Sequence, residues 1–304
     1  MFDPGAKKPQ IAFFGTPDFA VWVLERLKER GIVPDLVVSA PDAPKGRKLV
    51  LTPPPAKAWA EKNRVPVLQP ENVRGAGFEA ELRGKARAAE GGLGYGEWDL
   101  FIVAAYGKLI PDNIFNMPRR KTINVHPSLL PRFRGAAPLQ ASILADARET
   151  GTTIIRLDKE LDHGPILAQR ALEFPVWPVD AETLGHMTAR LGADLIAEIL
   201  PQLLDGTAKE APQDHSKATF TKKISKEEGQ IDLSADGYQN FLKFQAHKGW
   251  PGSYLFVQRH HEGATGTIRV NISEAAYENG AFVIKKVVPE GKKEMSWDDF
   301  NRGA

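Results

Sequence analysis

The amino-acid sequence predicts an α/β protein, with a mainly parallel sheet covered by helices on both faces and a small β-barrel after it. Three observations lead to this class. The chain opens with a strand–helix–strand pattern, further all-apolar strands alternate with helical patterns, and the pattern changes after residue 206. Parallel strands joined by helices are buried on both faces and therefore read as continuous apolar runs. The 304 residues, 42% of them hydrophobic, suffice for two domains.

The first elements are a strand, a turn and a helix. Residues 11–14 are all apolar and are followed by a turn over residues 15–18, in which Pro17 is expected at the first helical position. Three apolar residues then recur at helical spacing, namely Val21, Leu24 and Leu27. Gly31 ends the predicted helix, and residues 36–38 are the second predicted strand.

Three more strands are predicted over residues 100–105, 122–125 and 152–155, with helical patterns between most of them. In open sheets of this type, ligands bind beyond the carboxyl ends of the strands. Asn124 and His126 lie at such an end. They are two residues apart, so they point the same way if the extended path continues through His126.

The last helix of the first domain has one apolar face, formed by Leu184, Met187, Leu191, Leu195 and Ile199. We expect Pro201 to end or kink it. Residues 206–220 are polar and read as a linker. A helix near residues 238–245 and strands over 253–257, 267–270 and 282–284 then predict the small barrel. The predicted domains are residues 1–205 and 221–304.

Composition excludes several classes of function. There is no cysteine, so disulfides, thiolate nucleophiles and cysteine-ligated metals are excluded. No run approaches 18 apolar residues and residues 1–10 lack the apolar stretch of a secretory signal, so we expect a cytoplasmic protein. A net charge of +2 is too small to indicate a nucleic-acid binder, so any RNA contact is expected to be local.

Asn124, His126 and Asp162 are the candidate catalytic residues. Transfer of an acyl or formyl group to an amine passes through an oxyanion, which an amide and an imidazolium can stabilise. A carboxylate such as Asp162 can orient the imidazole and relay protons. Simpler interpretations remain open: a hydrogen-bonded structural histidine, and a turn-forming aspartate before Gly164 and Pro165. Metal ligation is a third, although two histidines and one aspartate lack a recognised ligand spacing.

Four segments together resemble the folate-dependent formyltransferases, which use 10-formyltetrahydrofolate as donor: residues 15–20, 104–107, 124–140 and 161–165. Further segments along nearly the whole chain resemble the members of this family that formylate methionyl initiator tRNA, and those in the tail lie outside the catalytic domain. The further segments are residues 52–55, 67–70, 205–208, 226–228, 250–252 and 289–296.

This resemblance implies a Rossmann-like formyltransferase domain followed by an OB-like β-barrel domain that binds tRNA. It implies that Asn124, His126 and Asp162 are the catalytic residues. It further implies that the folate co-substrate contacts six residues, namely Ser128, Leu129, Leu130, Pro131, Tyr106 and Gly107. The expected partners are 10-formyltetrahydrofolate and methionyl initiator tRNA, with no metal and no membrane, and the enzyme is expected to be a monomer.

The resemblance also implies that the loop over residues 42–52 contacts tRNA through Lys45, Arg47 and Lys48. Arg47 is the strongest candidate, because a guanidinium can grip phosphate or base edges and can stack. An ordinary solvated basic turn is the alternative. From Gly206 onward there are 14 Lys or Arg against 13 Asp or Glu. The net charge of this part is therefore too small to attract RNA in general.

Rival functions are a formyltransferase acting on an amino sugar nucleotide, a formyl-folate hydrolase, and a non-catalytic RNA-binding or dinucleotide-binding protein. The tail segments argue against the first two, and the three candidate catalytic residues argue against the last. His163, beside Asp162, either tunes the catalytic carboxylate or faces solvent. Residues 75–97, rich in glycine, are expected to form a flexible surface loop.

Overall fold

The computed structural model describes residues 8–46, 49–86, 97–261 and 264–302. Arg47 and Lys48, two of the three residues predicted to bind tRNA, lie outside the described residues, as do residues 87–96 of the glycine-rich segment. The described chain forms two compact units. The first comprises the chain up to Arg134 with Gly151–Leu172 and His186–Phe220, and the second comprises Gly135–Thr150, Glu173–Gly185 and the chain from Thr221 onward.

The helices, in chain order, are α1 (Asp18–Glu29), α2 (Pro55–Lys62), α3 (Ala76–Lys85), α4 (Asp112–Phe115), α5 (Pro138–Leu144), α6 (Ala181–Asp205), α7 (Gly237–His247) and α8 (Trp297–Arg302). The strands are β1 (Ile11–Gly15), β2 (Leu36–Val38), β3 (Ala43–Lys45), β4 (Val50–Thr52), β5 (Val67–Leu68), β6 (Leu100–Ala104), β7 (Thr122–His126), β8 (Arg134–Gly135), β9 (Gly151–Arg156), β10 (Ile166–Ala171), β11 (Phe220–Thr221), β12 (Ser253–His261), β13 (Ala264–Glu278), β14 (Ala281–Pro289) and β15 (Met295–Ser296).

The main sheet of the first unit has the strand order β10-β9-β7-β6-β1-β2-β5. Strands β5, β2, β1, β6 and β7 run parallel, whereas β9 pairs antiparallel with both β7 and β10. The prediction of a mainly parallel sheet is therefore confirmed. The antiparallel strand β9 lies directly beside β7, which carries two of the candidate catalytic residues.

Alternation along the central strands explains why both faces of this sheet are buried. In β1, Ile11 and Phe13 join an apolar cluster with α1, α2 and α6, whereas Ala12 and Phe14 join a second cluster with α3 and α4. Strand β6 divides in the same way between the two clusters. Successive side chains of a strand point to opposite faces, so one apolar run supplies both layers of core.

Two helices differ from the sequence-based expectations. The segment expected to begin a flexible loop at residue 75 instead forms α3, because Phe78 and Leu82 are four residues apart and both are buried against the sheet. Helix α6 does not end at Pro201 but continues to Asp205. A proline inside a helix costs about 3 kcal/mol. Here the buried side chains of Leu200 and Leu203 anchor the last turn in the core.

Smaller differences concern the first helix. Pro17 is the N-cap residue, one position before the expected first helical position, and α1 ends at Glu29 rather than at Gly31. Such shifts of one or two residues are usual at helix ends.

The second unit contains a four-stranded antiparallel sheet in the order β12-β13-β14-β15. Helices α7 and α8 cover one face, where Phe244 and Phe300 pack with Val270 and Val287. The strands predicted over residues 253–257, 267–270 and 282–284 are thus confirmed, and they lie in a four-stranded antiparallel sheet. In the described part of the chain, no helix combines the length and the apolar character needed to cross a membrane.

Candidate active site

Asn124 and His126 project from one face of β7 at its carboxyl end. The strand remains extended through His126, as predicted, and the intervening Val125 points to the opposite face, where it meets Gly192 of α6. A Cβ at position 192 would clash with Val125, so glycine allows the helix to approach the strand closely. Asn124 is 9% exposed and His126 is 3% exposed. The two polar side chains are therefore held at the edge of the core.

Asp162 joins these residues from the connection between β9 and β10. Its Oδ1 atom accepts a hydrogen bond from Nδ2 of Asn124 at 3.3 Å and lies 3.5 Å from Nδ1 of His126. The carboxylate is 9% exposed, and the Asp162 backbone has a φ of +52°, in the left-handed region. Non-glycine residues in this region are uncommon and concentrate at functional sites. The structure thus brings the three predicted catalytic residues together.

The carbonyl oxygen of Phe133 determines which nitrogen of the His126 ring carries a hydrogen. It lies 3.0 Å from Nε2 of His126, and because a carbonyl oxygen can only accept, Nε2 must carry the hydrogen. Nδ1 is consequently the ring nitrogen that faces Asp162. The Phe133 backbone also has a positive φ, of 61°, and its N–H donates to Oγ1 of Thr219 at 2.7 Å.

The segment predicted to contact folate follows His126 directly. Thr153 on β9 organises it: its hydroxyl donates to the carbonyl oxygen of Ser128 at 2.6 Å and accepts from the N–H of Leu130 at 3.1 Å. The Ser128 hydroxyl donates to the carbonyl oxygen of Arg132 at 2.6 Å. Ser128 and Leu130 are buried, whereas Leu129 and Pro131 are half-buried. The segment therefore presents mainly apolar side chains and backbone groups.

Tyr106 and Gly107 lie just beyond the carboxyl end of β6, the strand beside β7. The Tyr106 ring is buried and packs edge-on against Phe14, with ring centroids 5.5 Å apart. Its hydroxyl is buried and has no hydrogen-bond partner among the described residues, and burial raises the pKa of Tyr106 to about 12. The Tyr106 carbonyl oxygen accepts from the hydroxyl of Thr16 at 3.0 Å. The side chain of Tyr106 thus faces the core, and Gly107 follows it with a φ of +83°.

Gln213 is a site residue that sequence reasoning missed. It is 5% exposed, and its Nε2 atom donates to the carbonyl oxygens of Asp162 at 2.9 Å and Gly164 at 2.7 Å. Its Oε1 atom accepts from Nε and Nη2 of Arg134, which is 3% exposed. Residue 213 lies in the polar segment interpreted as a linker, and no local signal in the sequence distinguishes it.

His163 is half-buried and does not simply face solvent. Its Nδ1 atom lies 2.8 Å from Oδ2 of Asp158, and its ring stacks on that of His215 at a centroid distance of 4.1 Å. His215 in turn accepts a hydrogen bond at Nδ1 from Nη2 of Arg134, at 2.8 Å. Both histidines therefore belong to the surroundings of the Asp162 turn.

Of the three residues predicted to contact tRNA, the structure describes Lys45. It lies at the end of β3, which forms an exposed hairpin with β4. The base of this hairpin is anchored by Asp42, whose carboxylate accepts from Nζ of Lys57 at 2.8 Å and from Nε2 of Gln69 at 2.7 Å. These bonds hold the pKa of Asp42 below its usual value. Three apolar side chains of the second half of the hairpin are also exposed, namely Leu49, Val50 and Leu51.

Among the described residues, no group of three or more histidine, aspartate or glutamate side chains is arranged to hold a metal ion.

Comparison with known proteins agrees with this geometry. The family model described as formyl transferase matches residues 9–204. A methionyl-tRNA formyltransferase from Halalkalibacterium halodurans is 37% identical over 316 residues, covering 97% of this chain and 95% of that protein. The chain therefore belongs to the formyl transferase family, which confirms the resemblance found in the sequence. Within that family it groups with the methionyl-tRNA formyltransferases.

Two solved structures share the fold. Methionyl-tRNA formyltransferase from Clostridium thermocellum matches with a TM-score of 0.58 at 16% identity, covering 93% of this chain and 99% of that chain. HypX from Aquifex aeolicus, solved in complex with tetrahydrofolic acid, matches with a TM-score of 0.64 at 17% identity, covering 96% of this chain and 46% of that chain. At these identities the likeness concerns the fold alone.

Proposed function

We propose that the chain transfers the formyl group of 10-formyltetrahydrofolate to the α-amino group of methionine esterified to initiator tRNA, a step that serves translation initiation. The observation that carries the proposal is the cluster of Asn124, His126 and Asp162 at the carboxyl end of β7. A relative of nearly the same length, itself named for this reaction, supports the choice of acceptor.

Asn124 and protonated His126 stabilise the oxyanion. When the amine attacks the formyl carbon, negative charge develops on the formyl oxygen, and preorganised donors in a water-poor site stabilise it. The Asn124 amide has two N–H groups, of which one donates to Asp162, so the second is available to the oxygen. The Nδ1–H of protonated His126 is the other donor, because Nε2 is already bound to Phe133. Asp162 Oδ1 is 3.5 Å from this Nδ1, so the one hydrogen is shared between the carboxylate and the formyl oxygen.

Asp162 orients His126 and assists proton transfer. The incoming amine forms a bond to the formyl carbon and loses a proton, while the bond from that carbon to the folate nitrogen breaks and that nitrogen gains a proton. A carboxylate near the reacting nitrogens can accept the first proton and deliver the second, directly or through one water molecule. An amine is a competent nucleophile once neutral, so the protein needs no covalent intermediate.

The folate co-substrate supplies the formyl group, and the chain offers it a partly apolar surface. We assign its binding to Ser128, Leu129, Leu130 and Pro131, together with Tyr106 and Gly107 on the neighbouring strand end. Leu129 and Pro131 are half-buried and suit an aromatic ring system. Because the Ser128 hydroxyl is bonded to Arg132 and the Tyr106 ring faces the core, these two residues act through their backbone.

Contact with tRNA is assigned to the hairpin over residues 42–52 and to the C-terminal region. Lys45 is exposed on the hairpin, and Arg47 and Lys48 follow it in the sequence. We assign catalysis to residues 1–205, the connection to 206–220 and tRNA binding to 221–304, the last beginning where the second unit resumes at Thr221. The enzyme acts as a monomer in the cytoplasm, and light scattering coupled to gel filtration tests the first of these statements.

The experiment that tests the function is an assay of the purified protein with 10-formyltetrahydrofolate and methionyl initiator tRNA, run beside an amino sugar nucleotide as the competing acceptor. Formylmethionyl-tRNA is expected as the only formylated acceptor. Formylation of the sugar nucleotide alone, or hydrolysis of the donor without any formylated acceptor, contradicts the proposal.

A further inference from the structure

The turn that carries Asp162 is fixed from both sides by contacts that the chemistry above does not use. On one side, Gly164 lies so close to the carbonyl oxygen of Arg156 that any Cβ at position 164 would clash with it. On the other side, the amide of Gln213 donates to the carbonyl oxygens of Asp162 and Gly164. The backbone of Asp162 is held in the left-handed region between these contacts.

The side chain of Gln213 has a single consistent orientation. Its Oε1 atom faces two guanidinium nitrogens of Arg134, which can only donate, and its Nε2 atom faces two carbonyl oxygens, which can only accept. Reversing the amide would place donors against donors and acceptors against acceptors. Since Gln213 and Arg134 are both almost fully buried, water cannot replace these bonds readily.

Arg134 is itself oriented by a further contact. Its Nη2 atom donates to Nδ1 of His215 at 2.8 Å, and the His215 ring stacks on His163, the residue between the two carbonyls that Gln213 grips. The chain of contacts thus returns to the turn from which it started. Arg134, Gln213 and His215 all belong to the first unit.

We infer that Gln213 is a positioning residue for formyl transfer, which holds the Asp162 turn so that the carboxylate meets Asn124 and His126. This inference rests on the proposed function. The distances that Gln213 preserves run from Oδ1 of Asp162. They are 3.3 Å to Nδ2 of Asn124 and 3.5 Å to Nδ1 of His126. A displacement of about 1 Å in such a constellation can lower turnover by about 100-fold.

Gln213→Glu is the informative variant. It keeps the size of the side chain and an acceptor for Arg134, so the buried guanidinium remains paired. When ionised, however, it has no N–H or O–H to donate to the two carbonyls of the turn, which then face carboxylate oxygen. A protonated glutamic acid regains one donor, so its defect should lessen as pH falls. The matched control is Gln202→Glu, the same change at an exposed position of α6.

The experiment measures formylation of methionyl initiator tRNA by the two variants and the unaltered chain from pH 8 to pH 5.5, with kcat and KM determined separately. For Gln213→Glu we expect kcat to fall by about 10- to 100-fold at pH 8. We expect KM for 10-formyltetrahydrofolate to stay within about threefold. Relative to the unaltered chain, the kcat deficit should shrink toward pH 5.5. Gln202→Glu should match the unaltered chain throughout.

The positioning role would be overturned if the ratio of kcat for Gln213→Glu to kcat for the unaltered chain did not change with pH. A loss confined to KM or to thermal stability would overturn it as well. If Gln213→Glu does not fold, Gln213→Asn provides the same test, because a shorter amide retains its donors but reaches the turn less well. It should lower kcat without any pH-dependent recovery, and unchanged kcat in this variant also contradicts the role. Absence of formylation by the unaltered chain would instead contradict the proposed function, so the two failures are distinguishable.

Discussion

The carbonyl oxygen of Phe133 lies 3.0 Å from Nε2 of His126, and this contact determines which ring nitrogen can take part in chemistry. Because the carbonyl accepts, Nε2 carries a hydrogen and is occupied by this bond, which leaves Nδ1 for the reaction. Nδ1 is also the atom nearest Asp162. The backbone of Phe133, seven residues along the chain, thus selects the tautomer that the proposed reaction requires.

The first prediction follows from this contact. In the protein labelled with ¹⁵N-histidine, neutral His126 should give the NMR signature of the Nε2–H tautomer, which Asp162→Asn should preserve because Phe133 and not Asp162 sets it. An Nδ1–H tautomer in the unaltered chain would contradict the assignment of Nδ1 as the reacting nitrogen. Comparison with the spectrum of His126→Gln identifies the resonance.

The second prediction concerns the exposed hairpin. Lys45→Ala should raise KM for methionyl initiator tRNA several-fold and leave KM for 10-formyltetrahydrofolate unchanged, because a surface lysine there can contact only a large anionic substrate. Loss of one phosphate contact should also reduce the slope of log affinity against log salt by about 0.7 to 0.9. The control is Lys62→Ala, an exposed lysine in α2. Equal effects of the two variants would argue against a tRNA contact at Lys45.

The third prediction concerns the buried hydroxyl of Tyr106. Because this hydroxyl has no hydrogen-bond partner in the part of the chain that the structure describes, Tyr106→Phe should leave the free energy of unfolding unchanged or raise it by up to about 1 kcal/mol. Formylation should stay within about twofold of the unaltered chain, since the ring packs against Phe14 in both forms. Urea unfolding and steady-state kinetics measure the two effects. A tenfold rise in KM for folate would show that the hydroxyl, and not the backbone, serves the co-substrate.

The fourth prediction concerns His247 in the second unit. Its ring is buried, and this burial lowers the pKa of His247 below its ordinary value near 6.5, an effect that Lys243 reinforces and Glu228 opposes. The unfolded chain therefore binds a proton more readily than the folded chain, so the free energy of unfolding falls as pH drops below about 6.5. The fall from this one proton is at most about 1.4 kcal/mol per pH unit.

Urea unfolding at pH 7.5 and pH 5.5 tests this prediction. His247→Gln lacks the titrating group, so the variant should lose less stability between the two pH values than the unaltered chain does. An equal loss in both proteins would show that His247 does not carry this part of the pH dependence.

Much of the first unit could be predicted from the sequence because its strands are all-apolar and their ends are marked by turns. Asn124 and His126 were identified for the same reason, since the two-residue period of a strand places both on one face. Their meeting with Asp162 depends on how the connection after β9 folds back. No spacing encodes that meeting, and the expectation of it rests on the chemistry that an amide, an imidazole and a carboxylate perform together and on the family resemblance.

Other features depended on tertiary packing and could not be found in this way. Gln213 lies in a polar stretch that resembles a linker, and its role depends on a buried arginine far away in the chain. Helix α3 was missed because three glycines in its neighbourhood favour a loop, whereas burial of Phe78 and Leu82 decides the outcome. Helix α6 passes Pro201 because packing of its last turn outweighs the local preference.

The measurement that tests the central claim most directly is kcat for formylation of methionyl initiator tRNA by Asp162→Asn, with Asp298→Asn at an exposed position of α8 as the matched control. Asparagine keeps the size of the side chain and removes the charge that orients His126 and exchanges protons. We expect kcat to fall by about 100- to 10,000-fold in Asp162→Asn, with an unchanged circular dichroism spectrum. The control should be fully active. Turnover of folded Asp162→Asn within a few-fold of the control would contradict the account.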